Sequence, residues 1–151
     1  RFESKPIGVL RYFELKKNNK ILRIYRAASL KHFPMDVKLN RAPDIAILKK
    51  ENDNTKMVVV VEVKNYLDRG SAESGIEILS QVREEFKNSN AKYALFSFGK
   101  IAFKDEEVVK KLKKFQENED CFLITEKREK EEFKVIDLSE LLNIVRSELI
   151  L

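Results

Sequence analysis

Pro43-Asp44-Ile45-Ala46-Ile47-Leu48, the polar run from Lys49 to Lys56, and Met57-Val58-Val59-Val60-Val61-Glu62-Val63-Lys64 decide how the chain folds. Two apolar segments flank a turn-like centre, Glu51-Asn52-Asp53-Asn54-Thr55, which predicts an antiparallel hairpin. Both strands are apolar on both faces, as in a sheet covered on both sides. Two carboxylates and an amine nevertheless stand at the strand ends. An acid or amine beside such strands is costly unless the groups pair or hold a metal. Asp44, Glu62 and Lys64 together therefore predict a site.

Register turns that expectation into geometry. Opposed residues in an antiparallel hairpin have position numbers with a constant sum. Pairing Asp44 with Glu62 centres the turn on Asp53 and sets the two acids across the ladder, with Cα atoms roughly 4.5–5.5 Å apart. Alternation then puts Lys64 on the face of Glu62 and turns Val63 away. A slip of one residue would place the acids on opposite faces.

Toward the N-terminus, Ile7 to Leu15 reads as a strand, Lys16-Lys17-Asn18-Asn19 as a turn and Lys20 to Ala28 as a returning strand, with 29–42 irregular. On the other side, after a loop over 65–73, Ser74 and Glu77 form a capping-box pattern that opens a helix to about Lys87. Ile76, Leu79, Val82 and Phe86 make its inward stripe. Tyr93 to Phe98 is a strand. Asp105 caps a helix that carries Val108, Val109, Leu112 and Phe115 inward. Cys121 to Thr125 and Glu132 to Ile136 are strands, and Asp137 with Glu140 opens a last helix through Leu141, Leu142, Val145 and Leu149. The order β-β-β-β-α-β-α-β-β-α predicts an α/β fold, a mixed β-sheet core flanked by helices. The 74–87 helix crosses between parallel strands 57–64 and 92–98.

A chain of 151 residues without repeats or a Pro/Gly-rich linker fits one domain. No apolar run approaches the roughly 20 residues of a membrane span. The opening Arg1-Phe2-Glu3-Ser4 has no initiator Met and no signal-peptide apolar region, so a trimmed fragment lacking its native N-terminus is expected. A single cysteine, Cys121, rules out an intrachain disulfide framework and a cysteine zinc site, and fits a cytoplasmic setting. Residues 1–50 carry 13 Lys/Arg against 4 Asp/Glu, and the rest 17 against 21. The positive excess thus lies before and around Asp44, in Arg11, Lys16, Lys17, Lys20, Arg23, Arg26, Lys31, Lys38 and Arg41. Such a block beside an acidic site would draw in a polyanion; its bland counterpart is a solvated basic face.

Pro43-Asp44 followed by the strand-borne Glu62-Val63-Lys64 resembles the signature of the PD-(D/E)XK nuclease superfamily, over residues 20–98. The resemblance implies a restriction-endonuclease-like fold, with residues 1–151 as one nuclease-like domain. It also implies a Mg²⁺-dependent endonuclease that hydrolyses phosphodiester bonds, in DNA rather than RNA, with Mn²⁺ able to substitute. Asp44, Glu62 and the backbone carbonyl of Val63 would ligate the metal, and Lys64 would orient or deprotonate the attacking water and steady charge on the phosphate. Hard oxygen donors suit Mg²⁺, and two neighbouring carboxylates favour a charged Lys64 that acts chiefly as an electrostatic clamp. Gln81, on the following helix, would be auxiliary. A RecB-like subgroup has Tyr four positions after that Gln, where this chain has Glu85. The acid that members often carry on a first helix has only Glu3 as a counterpart, because Glu14 falls on a strand.

Around this core, Arg41, Tyr66 and Arg69 are candidate nucleic-acid contacts, by phosphate binding or stacking, although loop polarity explains them equally well. Asp36 reads as loop surface. His32 has no partner at a telling spacing, and Cys121 lies in an apolar strand and reads as core. Lys110, Lys111, Lys113 and Lys114 read as the solvated face of their helix, and Lys127 to Lys134 as a surface turn. Nucleic acid is the expected partner and no membrane is; a homodimer would serve a cut through both strands. The alternative function is a non-catalytic nucleic-acid-binding or assembly module that keeps the nuclease fold, with the trio as a structural ion cluster.

Overall fold

The computed structural model describes residues 11–26, 41–86, 90–125 and 135–150. Their element order is that read from the sequence: β1 (Arg11–Lys17), β2 (Lys20–Arg26), β3 (Ile45–Glu51), β4 (Asn54–Lys64), α1 (Arg69–Glu85), β5 (Lys92–Ser97), α2 (Glu106–Gln116), β6 (Cys121–Thr125), β7 (Val135–Ile136) and α3 (Leu138–Ile150). Among the described residues the seven strands form one mixed sheet in sequential order. β1 to β4 are antiparallel neighbours, and β4 to β7 are parallel. The parallel β4–β5 pair across α1 is the expected crossover.

Each face of the sheet has its own core. On one, α1 and α2 bury Leu79, Val82, Leu112 and Phe115 against Ala46, Leu48, Met57, Val60, Leu95 and Leu123. On the other, Val145 of α3, with Leu141, Ile144 and Leu149 partly buried, packs against Ile47, Val59, Val61, Phe96 and Ile124. The valine run of β4 is therefore buried on both sides, as its uninterrupted apolarity requires. Leu142 departs from the expected stripe of α3: it is 52% exposed, and Ile144 packs inward instead. Cys121 is buried. Among the described residues no helix is long and apolar enough to cross a membrane.

Several boundaries differ from the sequence reading. Asn18 and Asn52 adopt left-handed φ values of 54° and 55°, which asparagine tolerates, so both hairpins close in two residues. β1 therefore runs on to Lys17, and residues 7–10 of the expected strand lie outside the described residues. The polar run 49–56 is mostly strand rather than turn, because Lys49 is buried and paired with Glu148 of α3 at 3.2 Å. α1 begins at Arg69, not after Ser74. Asp68 caps it and Ser71 completes a capping box. The buried Leu67 before the cap and Ala72 in the first turn form the apolar clasp that fixes the entry angle. Ser74 is thereby left inside the helix. α2 starts at its expected cap, Asp105, which accepts from the Glu107 N–H at 3.0 Å. Of the last short strand only Val135 and Ile136 are described.

Candidate functional site

The β3–β4 register decides where the acids fall. Near the turn, Glu51 opposes Asn54 and Leu48 opposes Met57; beyond it, Ile47 opposes Val59 and Ile45 opposes Val61. The turn is thus centred between Asn52 and Asp53, half a residue before the expected Asp53. Continued without interruption, that register would set Asp44 against Val61 and put Glu62 on the opposite face. A β-bulge at Val58 restores the expected pairing. Val58 and Val59 both pack toward α3, and alternation resumes with Val60 toward α1. One extra valine brings Asp44, Glu62 and Lys64 to the same face.

There the three groups are in contact. The Asp44 N–H donates to Glu62 Oε1 at 3.1 Å, and the Val63 N–H donates to Asp44 Oδ2 at 2.7 Å. Lys64 Nζ lies 3.6 Å from Glu62 Oε2. Glu62 is only 4% exposed. Burial, a hydrogen bond between the two carboxyls and the charge of Asp44 raise Glu62 to about 7, against the weaker pull of Lys64 and the Asp44 N–H. Glu62, buried beside Asp44, thus holds its proton close to neutral pH.

α1 roofs the site at Gly75. A Cβ there would sit 2.6 Å from Leu95 Cδ1, with Lys64 Cε at 3.5 Å and Glu62 Cγ at 3.7 Å. An added methyl would crowd Leu95, while the two polar stems lie at ordinary contact distance beneath the helix. One residue earlier, Ser74 Oγ accepts from Arg41 Nη2 at 2.8 Å and from Lys64 Nζ at 3.5 Å. The sequence places Ser74 at the helix start as a cap and does not mark Gly75; the capping box found is Asp68 with Ser71.

The remaining candidates scatter. Gln81 is two helical turns beyond Ser74, about 10 Å along the axis of α1. Arg41 reaches the site through Ser74. Tyr66 is 57% exposed in the loop after β4, where its carbonyl accepts from Ser71 Oγ. The Nε of Arg69 binds both oxygens of Asp105, at 3.1 and 2.8 Å, tying the start of α1 to the cap of α2. Glu14 lies on β1 in a separate cluster. Burial pushes its carboxyl up, but hydrogen bonding and charge from Arg23, joined by Lys16, hold it below the usual range. Glu3, His32 and Asp36 lie outside the described residues, as do Lys31, Lys38 and the turn 127–134.

The donor set fits a hard divalent cation. Val61 and Val63 direct their backbone polar groups toward β3, whereas Lys64 accepts from the Phe98 N–H on the β5 side at 3.1 Å. Continuing the register, the position opposite Val63 is Pro43, which has no N–H. β3 therefore offers the Val63 carbonyl no ladder donor at that position. Among the described residues no group of three or more His, Cys, Asp or Glu side chains is placed to hold a metal; the set is two carboxylates and a carbonyl. No protein-family model matches the chain, and no curated protein or solved structure matches it.

Proposed function

We propose that the chain is a divalent-metal-dependent nuclease of the PD-(D/E)XK type with a restriction-endonuclease-like fold, hydrolysing phosphodiester bonds in DNA rather than RNA. What carries the reading is the convergence of Asp44, Glu62 and Lys64 on one sheet face, with Glu62 raised to about 7 by burial and by Asp44. Two neighbouring carboxylates, Glu62 buried and Asp44 partly so, repel each other's charge and would be stabilised in their ionised form by a cation. Asp44, Glu62 and the Val63 carbonyl would hold Mg²⁺, which supplies an acidified water and stabilises phosphoryl oxygens.

The residues of the chain do the rest. Glu62 gives up its proton as the site loads, so occupancy is favoured above pH 7. Lys64, held by Glu62 and Ser74, presents an ammonium to the phosphate and offsets its developing negative charge. The Gly75 face of α1 lies against the stems of Glu62 and Lys64. Gln81 is left as a backbone contact further along the helix.

A non-catalytic nucleic-acid-binding module is the second reading. It is favoured by the fact that each carboxylate already accepts a backbone N–H. Labelled duplex, branched and single-stranded DNA, together with RNA, incubated over a Mg²⁺ and Mn²⁺ series separate the two. The nuclease reading predicts metal-dependent cleavage of DNA. Salt-sensitive binding with no cleavage under either metal would establish the second reading instead.

A further inference from the structure

We propose that Arg41, Ser74 and Lys64 form a phosphate subsite, in which the Ser74 hydroxyl gathers two cations in the free protein and yields them to the scissile phosphate. The proposal rests on the nuclease reading and names how that site grips its substrate.

The arrangement is unusual electrostatically. One neutral oxygen, Ser74 Oγ, accepts from a guanidinium at 2.8 Å and an ammonium at 3.5 Å, and Arg41 Nη2 also approaches the Ser74 carbonyl at 3.5 Å. Like charges sharing one acceptor repel, and a hydroxyl neutralises neither. Lys64 has Glu62 at 3.6 Å, whereas among the described residues Arg41 has no carboxylate partner. An exposed arginine gains little from a neutral hydroxyl. It gains more from an anion placed between it and a second cation.

A phosphodiester is such an anion. Its two unesterified oxygens can bridge the nitrogens, which a shared hydrogen-bond acceptor keeps within reach of each other. The arginine fork adds a geometric match to phosphate that a lysine cannot supply. Ser74 sits on a helix clamped to the sheet at Gly75, so its hydroxyl fixes where both donors wait. Ser74 is thus a positioning residue that acts through Lys64 and Arg41.

The test compares wild type, Ser74→Ala, Ser74→Thr and Arg41→Ala on the DNA that wild type cleaves best, with melting temperatures as a folding control. Ser74→Ala should lower kcat by on the order of ten- to a hundredfold, the scale of a misplaced catalytic group. Arg41→Ala should chiefly raise KM. With Ca²⁺ replacing Mg²⁺ to block cleavage, Arg41→Ala should also reduce the slope of log affinity against log salt by about 0.9, the loss of one phosphate contact. Ser74→Thr should stay near wild type. Wild-type cleavage with Ser74→Ala and Arg41→Ala unchanged in kcat, KM and salt slope would overturn the subsite and leave the nuclease reading intact. A Ser74→Thr variant as impaired as Ser74→Ala would overturn it too, assigning the effect to packing. No cleavage by wild type would overturn the nuclease reading, and the subsite with it.

Discussion

Glu62 is a strained choice for a buried strand end, and the strain can be measured. Its carboxyl titrates near 7 when folded, against 4.5 ordinarily. A carboxyl raised on folding contributes stability that is fully present below the unfolded value and is lost as pH rises through about 7. Wild type should therefore lose a few kcal/mol between pH 4.5 and 8 relative to Glu62→Gln, which keeps the shape and cannot ionise. The two should be equally stable near pH 4 in urea titrations. Equal stability at pH 8 would contradict a raised, buried Glu62. Mg²⁺ at pH 8 should raise the melting temperature of wild type and leave Asp44→Ala unmoved, because a ligand that binds only the folded site stabilises by mass action. Chelation should reverse the gain.

The register of one hairpin and the approach of one helix make the site. Asp44, Glu62 and Lys64 were legible because polar residues ending apolar strands demand an explanation, and the pairing they implied is the one found at that end. The turn was not legible. Sequence placed its centre on Asp53, but Asn52 tolerates a left-handed φ and closes the hairpin in two residues. The Val58 bulge compensates, and nothing in a run of five apolar residues marks which one is unpaired. The start of α1 was missed because Ser74–Glu77 and Asp68–Ser71 are comparable local signals, and the burial of Leu67, a tertiary fact, chooses between them. Gly75 gives the test at this scale. An interior helical glycine replaced by alanine ordinarily gains up to about 1 kcal/mol. Here the added methyl meets Leu95 at 2.6 Å, so Gly75→Ala should instead cost about 1–3 kcal/mol and reduce cleavage. A stabilised, fully active Gly75→Ala would show that α1 does not lie where the site needs it.

Across the molecule, charge and topology point to the same end. The N-terminal excess of lysine and arginine reads either as a block that draws in a polyanion or as a solvated basic face. Among the described residues, Arg23 and Lys16 are engaged by the buried Glu14, while Arg41 meets the Ser74 hydroxyl that also accepts from Lys64. Lys49 and Lys56 meet Glu148 at 3.2 and 3.4 Å and tie α3 to the β3–β4 hairpin. The helices on the two faces thus hold one hairpin from both sides, α3 near its turn and α1 at its open end. DNA affinity measured in Ca²⁺ should fall steeply between 50 and 200 mM salt, as counterion release requires; a flat response would leave no role for the basic residues. The central claim, that Asp44, Glu62 and Lys64 form a hydrolytic metal site, is met most directly by one cleavage assay. Mg²⁺ is titrated against labelled DNA with wild type, Asp44→Ala and Lys64→Ala side by side, each checked for native melting. The account predicts metal-dependent cleavage by wild type and its loss in both folded variants, whereas metal-dependent cleavage that survives both changes would contradict it.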